Sequence, residues 1–184
     1  MNVSQTKLEG VLVIEPKKFG DERGFFSEVF RESILSDYGF DRAFIQDNHA
    51  FSQQKGVLRG LHYQSPPFAQ DKLVRVTRGA ILDVAVDIRE GSPTYGEWVS
   101  EVISAENWKQ ILVPRGFAHG YVTLKENTEV LYKVTEYYAP QADKGLMWND
   151  STLAIDWQLG EMEPILSQKD KEHPLFNEFK TEFT

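Results

Sequence analysis

Residues 80–89 read Ala-Ile-Leu-Asp-Val-Ala-Val-Asp-Ile-Arg, and this stretch alternates between two faces at every position. The first face carries the apolar side chains of Leu82, Val84, Val86 and Ile88. The second face carries Ile81, Asp83, Ala85 and Asp87. A repeat of two residues is the period of a β-strand, so residues 80–89 are predicted to form a strand in the core of the fold.

The same kind of pattern continues on both sides of this strand. Gly, Pro and Asn separate the apolar stretches, for example at residues 91–93 and 114–116. Eight further strands are predicted at residues 10–14, 24–30, 44–51, 57–63, 72–77, 97–104, 110–113 and 129–137. Helical patterns are confined to residues 31–38 and 167–171. Many short strands indicate an all-β fold, either a sandwich or a jelly-roll barrel with a few short helices.

The composition limits the class of protein. The 184 residues fit a single domain, predicted to span residues 1–184, and a net charge of −8 argues against nucleic-acid binding. No apolar run reaches the roughly 18–20 residues of a membrane span, and no signal segment is visible, so we expect a cytoplasmic protein without membrane contact. The chain has no cysteine, which excludes disulfides and thiolate sites.

Two of the four histidines lie in motifs that suggest a site. His119 ends the pattern Pro-x-Gly-x-x-His at residues 114–119, which resembles the second motif of the cupin barrels. Metal-binding cupins also carry two histidines one residue apart in their first motif. The matching stretch here is His62-Tyr63-Gln64, with glutamine in place of the second histidine. Because a transition-metal site needs about three or four good ligands, we expect no metal in this barrel.

Nine segments together resemble the dTDP-4-dehydrorhamnose 3,5-epimerase family, a family of sugar-nucleotide epimerases with the double-stranded β-helix fold of the cupins. In chain order they are residues 19–26 (FGDERGFF), 46–49 (QDNH), 57–64 (VLRGLHYQ), 72–76 (KLVRV), 83–87 (DVAVD), 114–120 (PRGFAHG), 131–133 (LYK), 148–150 (WND) and 166–170 (LSQKD). Any one of them is weak evidence, whereas the nine in this order over about 150 residues are specific.

The resemblance implies an isomerase that inverts C3 and C5 of a 4-keto-6-deoxyhexose linked to dTDP, without a cofactor. It implies that His62 is the base, that Asp170 orients it, and that Tyr132 is the proton donor. Inversion requires the base and the acid on opposite faces of the sugar. Lys72 is assigned to the C4 oxygen, where an ammonium group stabilises a developing enolate, and Asp83 is expected inside the barrel near it.

The resemblance also implies substrate contacts. Arg23, Arg59 and Lys169 match positions that hold the diphosphate, for which the planar arginine fork is well suited. The matching polar contacts are Glu28, Gln46, Asp47, Asn48, His119 and Asp143, and the aromatic contacts to the thymine ring are Phe19 and Phe26. Asp143 stands where the family usually has glutamate, so its side chain is one methylene shorter.

The family forms homodimers in which N-terminal strands are exchanged. The resemblance therefore implies that Arg23, Phe26 and Glu28 reach the site of a partner subunit.

Three alternatives remain at this stage. The first is a 3-only or 5-only epimerase acting on another dTDP-deoxysugar. The second is a metal-dependent cupin, such as a dioxygenase or isomerase. The third is a sugar-binding cupin without catalytic activity.

Overall fold

Residues 1–183 are described by the computed structural model, and within them the chain forms thirteen β-strands, one α-helix and two 3₁₀ helices. The strands are β1 Asn2–Gln5, β2 Leu12–Glu15, β3 Lys18–Asp21, β4 Gly24–Ser27, β5 Gln46–Ser52, β6 Leu58–Gln64, β7 Lys72–Arg78, β8 Ala80–Asp87, β9 Trp98–Ser104, β10 Gln110–Val113, β11 Phe117–Thr123, β12 Thr128–Val134 and β13 Asp143–Gly145. Helix α1 spans Glu32–Ser36, and the 3₁₀ helices span Pro140–Ala142 and Lys169–Lys171.

Two antiparallel sheets build the barrel. One has six strands in the order β1-β2-β10-β7-β12-β5, and the other has five in the order β13-β6-β11-β8-β9. Strands β3 and β4 form a separate hairpin. The non-sequential strand orders are those of a jelly roll, so the predicted all-β cupin barrel is confirmed.

Strand β8 is buried along its whole length because both of its faces are covered. Ile81 and Ala85 point between the sheets, where they join an apolar cluster with Val74 and Ile111 of the six-stranded sheet. The opposite face of β8 packs under the C-terminal part of the chain, in a cluster that includes Trp157. Fully burying one Val, Leu or Ile contributes about 1.5–3 kcal/mol, so this central strand anchors both layers.

The outer face of the six-stranded sheet is covered near β2 and β10 by the segment that contains α1. Leu35 of α1 and Phe40 after it pack against Leu12, Leu73 and Leu112. Across residues 1–183, no helix is long and apolar enough to cross a bilayer.

Several predicted boundaries needed correction. The strand predicted at residues 24–30 ends at Ser27, and the helix predicted at 31–38 covers only Glu32–Ser36. The helix predicted at 167–171 is the short 3₁₀ turn Lys169–Lys171. Strand β11 was not predicted because its sequence Phe-Ala-His-Gly-Tyr-Val-Thr shows no alternating apolar face, although all seven residues are buried.

Candidate active site

A cavity of about 260 Å³ opens between the two sheets. Both sheets and the C-terminal segment contribute to it. Its walls consist of Ala50, Arg59, His62, Lys72, Val74, His119, Tyr121, Tyr132, Ser167 and Asp170. All four residues predicted to be catalytic are in this list, although they come from three strands and a 3₁₀ helix.

His62 and Asp170 form a hydrogen-bonded pair. His62 Nε2 donates to Asp170 Oδ1 over 2.6 Å, although the two residues are 108 positions apart in the chain. The backbone of Ile165 brings them together, because it donates to Gly56 (2.8 Å) and accepts from Leu58 (3.0 Å) at the start of β6. This pairing fixes the following turn beside the strand that carries His62.

Asp170 is held as a carboxylate. Burial alone would raise its pKa, but hydrogen bonds from His62, from the Ser167 hydroxyl (2.6 Å) and from the Gly60 backbone N–H (3.3 Å) lower it to about 2. An ionised partner on Nε2 fixes the tautomer of His62 and leaves Nδ1 to accept a proton. The His62 side chain is 30% exposed, so the ring can also exchange protons with solvent.

A second pair lies deeper in the cavity. His119 Nε2 donates to both carboxylate oxygens of Asp83, each at 2.9 Å. The two residues stand on adjacent strands β11 and β8, and their side chains are 8% and 0% exposed. The predicted position of Asp83, inside the barrel, agrees with this contact.

Lys72 is one of two basic residues in the cavity wall, with Arg59. Burial lowers its pKa to about 8, while the carboxylates of Asp143 and Asp83 act in the opposite direction. Its ammonium group donates to the backbone carbonyl of His62 over 3.4 Å. At neutral pH Lys72 is therefore mostly charged, in a place where few waters compete for its N–H groups.

Tyr132 enters from β12, where it pairs with Asn48 of β5 and Val74 of β7. Burial raises the pKa of its phenol, and the nearby Arg59 partly offsets this rise. Tyr132 is thus a neutral phenol at pH 7 and a possible proton donor to a strongly basic carbanion or enolate.

The next three predicted contacts, Gln46, Asp47 and Asn48, lie on strand β5 but not on the same face of it. Gln46 and Asn48 share the face of Ala50, which lines the cavity, and Gln46 Nε2 donates to Asn48 Oδ1 over 2.8 Å. Asp47 lies on the opposite face, 72% exposed and 2.8 Å from Lys133 Nζ. None of the three residues lines the cavity; Asp47 and Asn48 instead line a neighbouring depression.

The predicted contacts near the N-terminus also lie outside the cavity. Phe19, Arg23 and Phe26 line a separate surface depression on the β3–β4 hairpin, and Phe26 is 71% exposed. Arg23 pairs with its neighbour Asp21, and Glu28 pairs with Arg31 at 2.7 Å.

Asp143 and Lys169 form an ion pair with each other. The hydroxyl of Tyr138 also donates to Asp143, over 2.9 Å. Neither residue lines the cavity, but both charges act on Lys72 from nearby.

Gln64 explains the departure from the metal-binding cupin pattern. Its amide N–H₂ donates to the carbonyls of Phe68 (2.7 Å) and Tyr137 (3.1 Å), and its oxygen accepts from Ala139 N–H (2.8 Å). The side chain is 4% exposed and is fully used in holding these loops. The donor set at the usual cupin metal position is therefore incomplete.

Three residues near the His62–Asp170 pair were not predicted from the sequence as part of the site. Ser167 binds Asp170, Tyr121 lines the cavity, and the ring of His173 packs edge-on against that of His62, with centroids 5.4 Å apart. Ser167 could have been found from its position three residues before Asp170, a spacing that allows a local side-chain hydrogen bond. No comparable sequence pattern marks the other two.

A family model described as dTDP-4-dehydrorhamnose 3,5-epimerase matches residues 5–178. The dTDP-4-dehydrorhamnose 3,5-epimerase of Escherichia coli K12 is 51% identical over 173 residues, which cover 93% of this chain and 92% of that protein.

Two solved structures share the fold. A dTDP-6-deoxy-D-glucose-3,5-epimerase from Legionella pneumophila, in complex with dTDP-4-keto-L-rhamnose, superimposes with a TM-score of 0.91 at 48% identity, covering 96% of this chain and 93% of that one. ChmJ, a 3'-monoepimerase from Streptomyces bikiniensis in complex with dTDP-quinovose, gives 0.86 at 34% identity, covering 92% and 85%.

Proposed function

The chain belongs to the dTDP-4-dehydrorhamnose 3,5-epimerase family, and from this premise we propose its reaction. It converts dTDP-4-dehydro-6-deoxy-D-glucose to dTDP-4-dehydro-L-rhamnose, in dTDP-L-rhamnose biosynthesis, as a single cupin-type domain. The observation that carries the proposal is one cavity that holds a histidine–carboxylate pair, a buried ammonium and a phenol. These are the base, the enolate stabiliser and the acid that the inversion of a carbon next to a ketone requires.

The proposed reaction starts with proton removal at C3 or C5, the two carbons that flank the C4 ketone. His62 Nδ1 takes the proton, the C–H electron pair moves into an enolate, and Asp170 stabilises the imidazolium. The ammonium group of Lys72 stabilises the negative oxygen at C4. Tyr132 then gives its phenol proton to the opposite face of the carbon. One proton leaves and one arrives, so no redox cofactor or metal is needed.

The proposed substrate contacts combine two chains. Arg59 lines this cavity, and Lys169 lies close enough to act on Lys72, so both are assigned to the diphosphate side. Phe19, Arg23 and Phe26 stand on an exposed hairpin outside the cavity. Exposed aromatic residues on a hairpin favour a protein contact, which supports a homodimer in which each hairpin completes the partner's site.

Mixed dimers test this exchange. We expect His62→Asn and Arg23→Ala each to be strongly impaired alone. When the two variants are refolded together, a mixed dimer contains one site with both wild-type residues if the hairpin is exchanged. Activity should then rise well above that of either parent, whereas a site built from one chain would show no recovery.

A second candidate function is inversion at only one carbon. The likeness to a 3'-monoepimerase favours it, because the same base and acid serve both reactions. Solvent exchange separates the two candidates. With the wild-type enzyme in deuterated water, we expect deuterium at both C3 and C5 by NMR; deuterium at one carbon only would select the single-position reaction.

The same experiment with Tyr132→Phe tests the acid. The base and Lys72 remain, so His62 should still remove and return protons on the original face. We expect exchange at C3 or C5 to be faster than product formation. If inversion in this variant is undiminished, Tyr132 is not the acid.

A further inference from the structure

His173 stands beside the dyad without a role in the proposed reaction. Its ring meets that of His62 at an angle of 74°. Its Nε2 atom is buried and, among residues 1–183, has no hydrogen-bond partner. A buried ring nitrogen without a hydrogen-bond partner is unusual and indicates an unfilled interaction.

Ligand atoms of His62, Asp170 and His173 lie within 4.8 Å of one another. We propose that these three side chains form a binding site for Zn²⁺, and that zinc bound there inhibits the enzyme. Two histidines and a carboxylate, with water in the fourth position, are a ligand set that zinc accepts readily. This site differs from the usual cupin position, where Gln64 is committed to loop carbonyls.

The geometry requires only local adjustment. Zinc–ligand bonds of about 2.0–2.1 Å place neighbouring ligand atoms about 3.3 Å apart in a tetrahedron. The 2.6 Å contact between His62 and Asp170 must therefore open slightly, while His173 moves inward. His173 follows the 3₁₀ helix Lys169–Lys171 and belongs to no strand, so it can move without breaking a sheet.

Zinc would take the lone pair of His62 Nε2, so the single proton of the neutral ring would lie on Nδ1. It would also occupy the carboxylate that orients the ring. Nδ1 would then have no lone pair with which to accept the substrate's proton. The inhibitory effect rests on the proposed role of His62, whereas the binding itself does not.

The test uses the metal-free full-length chain and Zn²⁺ alone. Isothermal titration should show one zinc per chain, and initial rates should fall with zinc, recover with EDTA and be unaffected by Mg²⁺. His173→Phe keeps the contact with the His62 ring but removes both nitrogens, and His173→Asn checks the result with a smaller side chain. Both variants should keep the zinc-free rate and bind zinc at least tenfold more weakly.

The matched control is His49→Asn, which removes an exposed histidine 3.5 Å from Glu129 and should behave as wild type. Absence of zinc binding, or equal binding in the His173 variants, would overturn the site. Binding that depends on His173 without any loss of rate would support the site but overturn its inhibitory effect and the assignment of His62 as base.

A second inference rests on a different atom, the phenol oxygen of Tyr121. This residue is 5% exposed, lines the cavity, and has a hydroxyl that lacks a partner within the part of the chain that the structure describes. Burial raises the pKa of Tyr121 to about 12, and the adjacent Arg59 guanidinium acts in the opposite direction, so the hydroxyl stays protonated. Arg59 can only donate, so the hydroxyl proton still lacks an acceptor. Leaving such a group unpaired costs about 1–3 kcal/mol.

We infer that the Tyr121 hydroxyl binds a hydroxyl group of the substrate's sugar ring. It lies two residues from His119 on β11 and pairs in register with Arg59 and Asp83, so it is surrounded by cavity residues. The inference deepens the proposed function and depends on it. The free enzyme leaves the hydroxyl unsatisfied, and the bound sugar supplies the missing partner.

Tyr121→Phe removes only the oxygen. If the hydroxyl serves the substrate, KM should rise about tenfold, kcat should change less, and the melting temperature should stay equal or rise. A merely structural role would instead lower the melting temperature and leave KM unchanged, which would overturn the inference. Tyr63→Phe is the matched control, since Tyr63 is equally buried but packs in the apolar cluster that contains Trp157, outside the cavity. If wild type itself does not turn over the dTDP-sugar, the proposed function fails, independently of Tyr121.

Discussion

The pairs His62–Asp170 and His119–Asp83 each place a histidine in the wall of one cavity but are built from different parts of the chain. His119 and Asp83 stand on adjacent strands, and both oxygens of Asp83 are used on one ring nitrogen. Asp170 instead comes from a 3₁₀ helix and divides its oxygens between His62 and Ser167. The His62 side chain is 30% exposed and that of His119 only 8%.

This difference shows that the identity of two side chains does not decide their role. A catalytic base must release its proton once for each carbon that is inverted, and the more exposed His62 can do so. His119 is locked between strands, where its pair with Asp83 fixes the cavity wall and holds a negative charge near Lys72. We therefore expect mutations in the two pairs to separate activity from stability.

The largest effect on activity is expected for His62→Asn. Loss of the base should lower kcat/KM by at least about 10⁴-fold, at the upper end of general acid–base contributions, while nucleotide binding survives. His119→Asn should lower activity less, by about 10- to 100-fold, but should destabilise the fold more, because Asp83 is left buried and poorly paired.

Steady-state kinetics and melting temperatures of both variants check this pair of expectations. Retention of more than a few per cent of activity by His62→Asn would mean that another residue is the base. A greater loss of activity in His119→Asn than in His62→Asn would reverse the two roles.

The carboxylates should follow the same division with smaller effects. In Asp170→Asn the amide no longer stabilises an imidazolium and can hold the wrong tautomer, so kcat should fall by about 10²- to 10⁴-fold. Asp83→Asn should lower kcat less than Asp170→Asn. Comparison of kcat with nucleotide affinity, measured by titration with dTDP, separates the chemical step from binding; equal losses of kcat in both variants would remove the distinction between the pairs.

The sequence predicted the frame of the cavity better than its contents. Strand β10 has its predicted bounds and β8 differs by two residues, because each is a short, largely apolar run followed closely by turn residues. Strand β11 was not predicted because His119 and Gly120 interrupt its apolar residues, whereas β8, which is equally buried, keeps an unbroken apolar face. The all-β class followed from the number of short apolar stretches separated by turn residues.

The dyads show why the site was harder to predict. Asp170 lies 108 residues from His62, so only the family resemblance linked the two before the fold was known. Tyr121 and His173 were missed because their significance lies in a missing hydrogen bond, which is a property of the folded environment. Asp47 was grouped with Gln46 and Asn48 as one motif, but strand geometry places adjacent residues on opposite faces.

The smallest expected effect comes from Ser167→Ala, which alters only the support of Asp170. The Ser167 hydroxyl donates to Asp170 Oδ2 over 2.6 Å, and no equivalent hydroxyl is found on Asp83 in residues 1–183. Without this bond the pKa of Asp170 should rise from about 2 toward its ordinary value near 4. A carboxylate whose pKa is lowered in the folded protein stabilises the fold at any pH above its pKa in the unfolded chain. This stabilisation is lost as the pH falls from about 4 to 2.

Ser167→Ala should therefore be slightly less stable than wild type at pH 7 but nearly equal to it below pH 2. Its kcat should fall by less than about tenfold, because His62 still donates to Asp170 and the Gly60 N–H remains in place. Urea unfolding between pH 2 and 7, together with kcat at pH 7, checks both expectations. A stability difference that is the same at every pH would show that Ser167 acts through packing and not through the charge of Asp170. In that case the charge of Asp170 would be stabilised mainly by its own histidine, His62, as that of Asp83 is by His119.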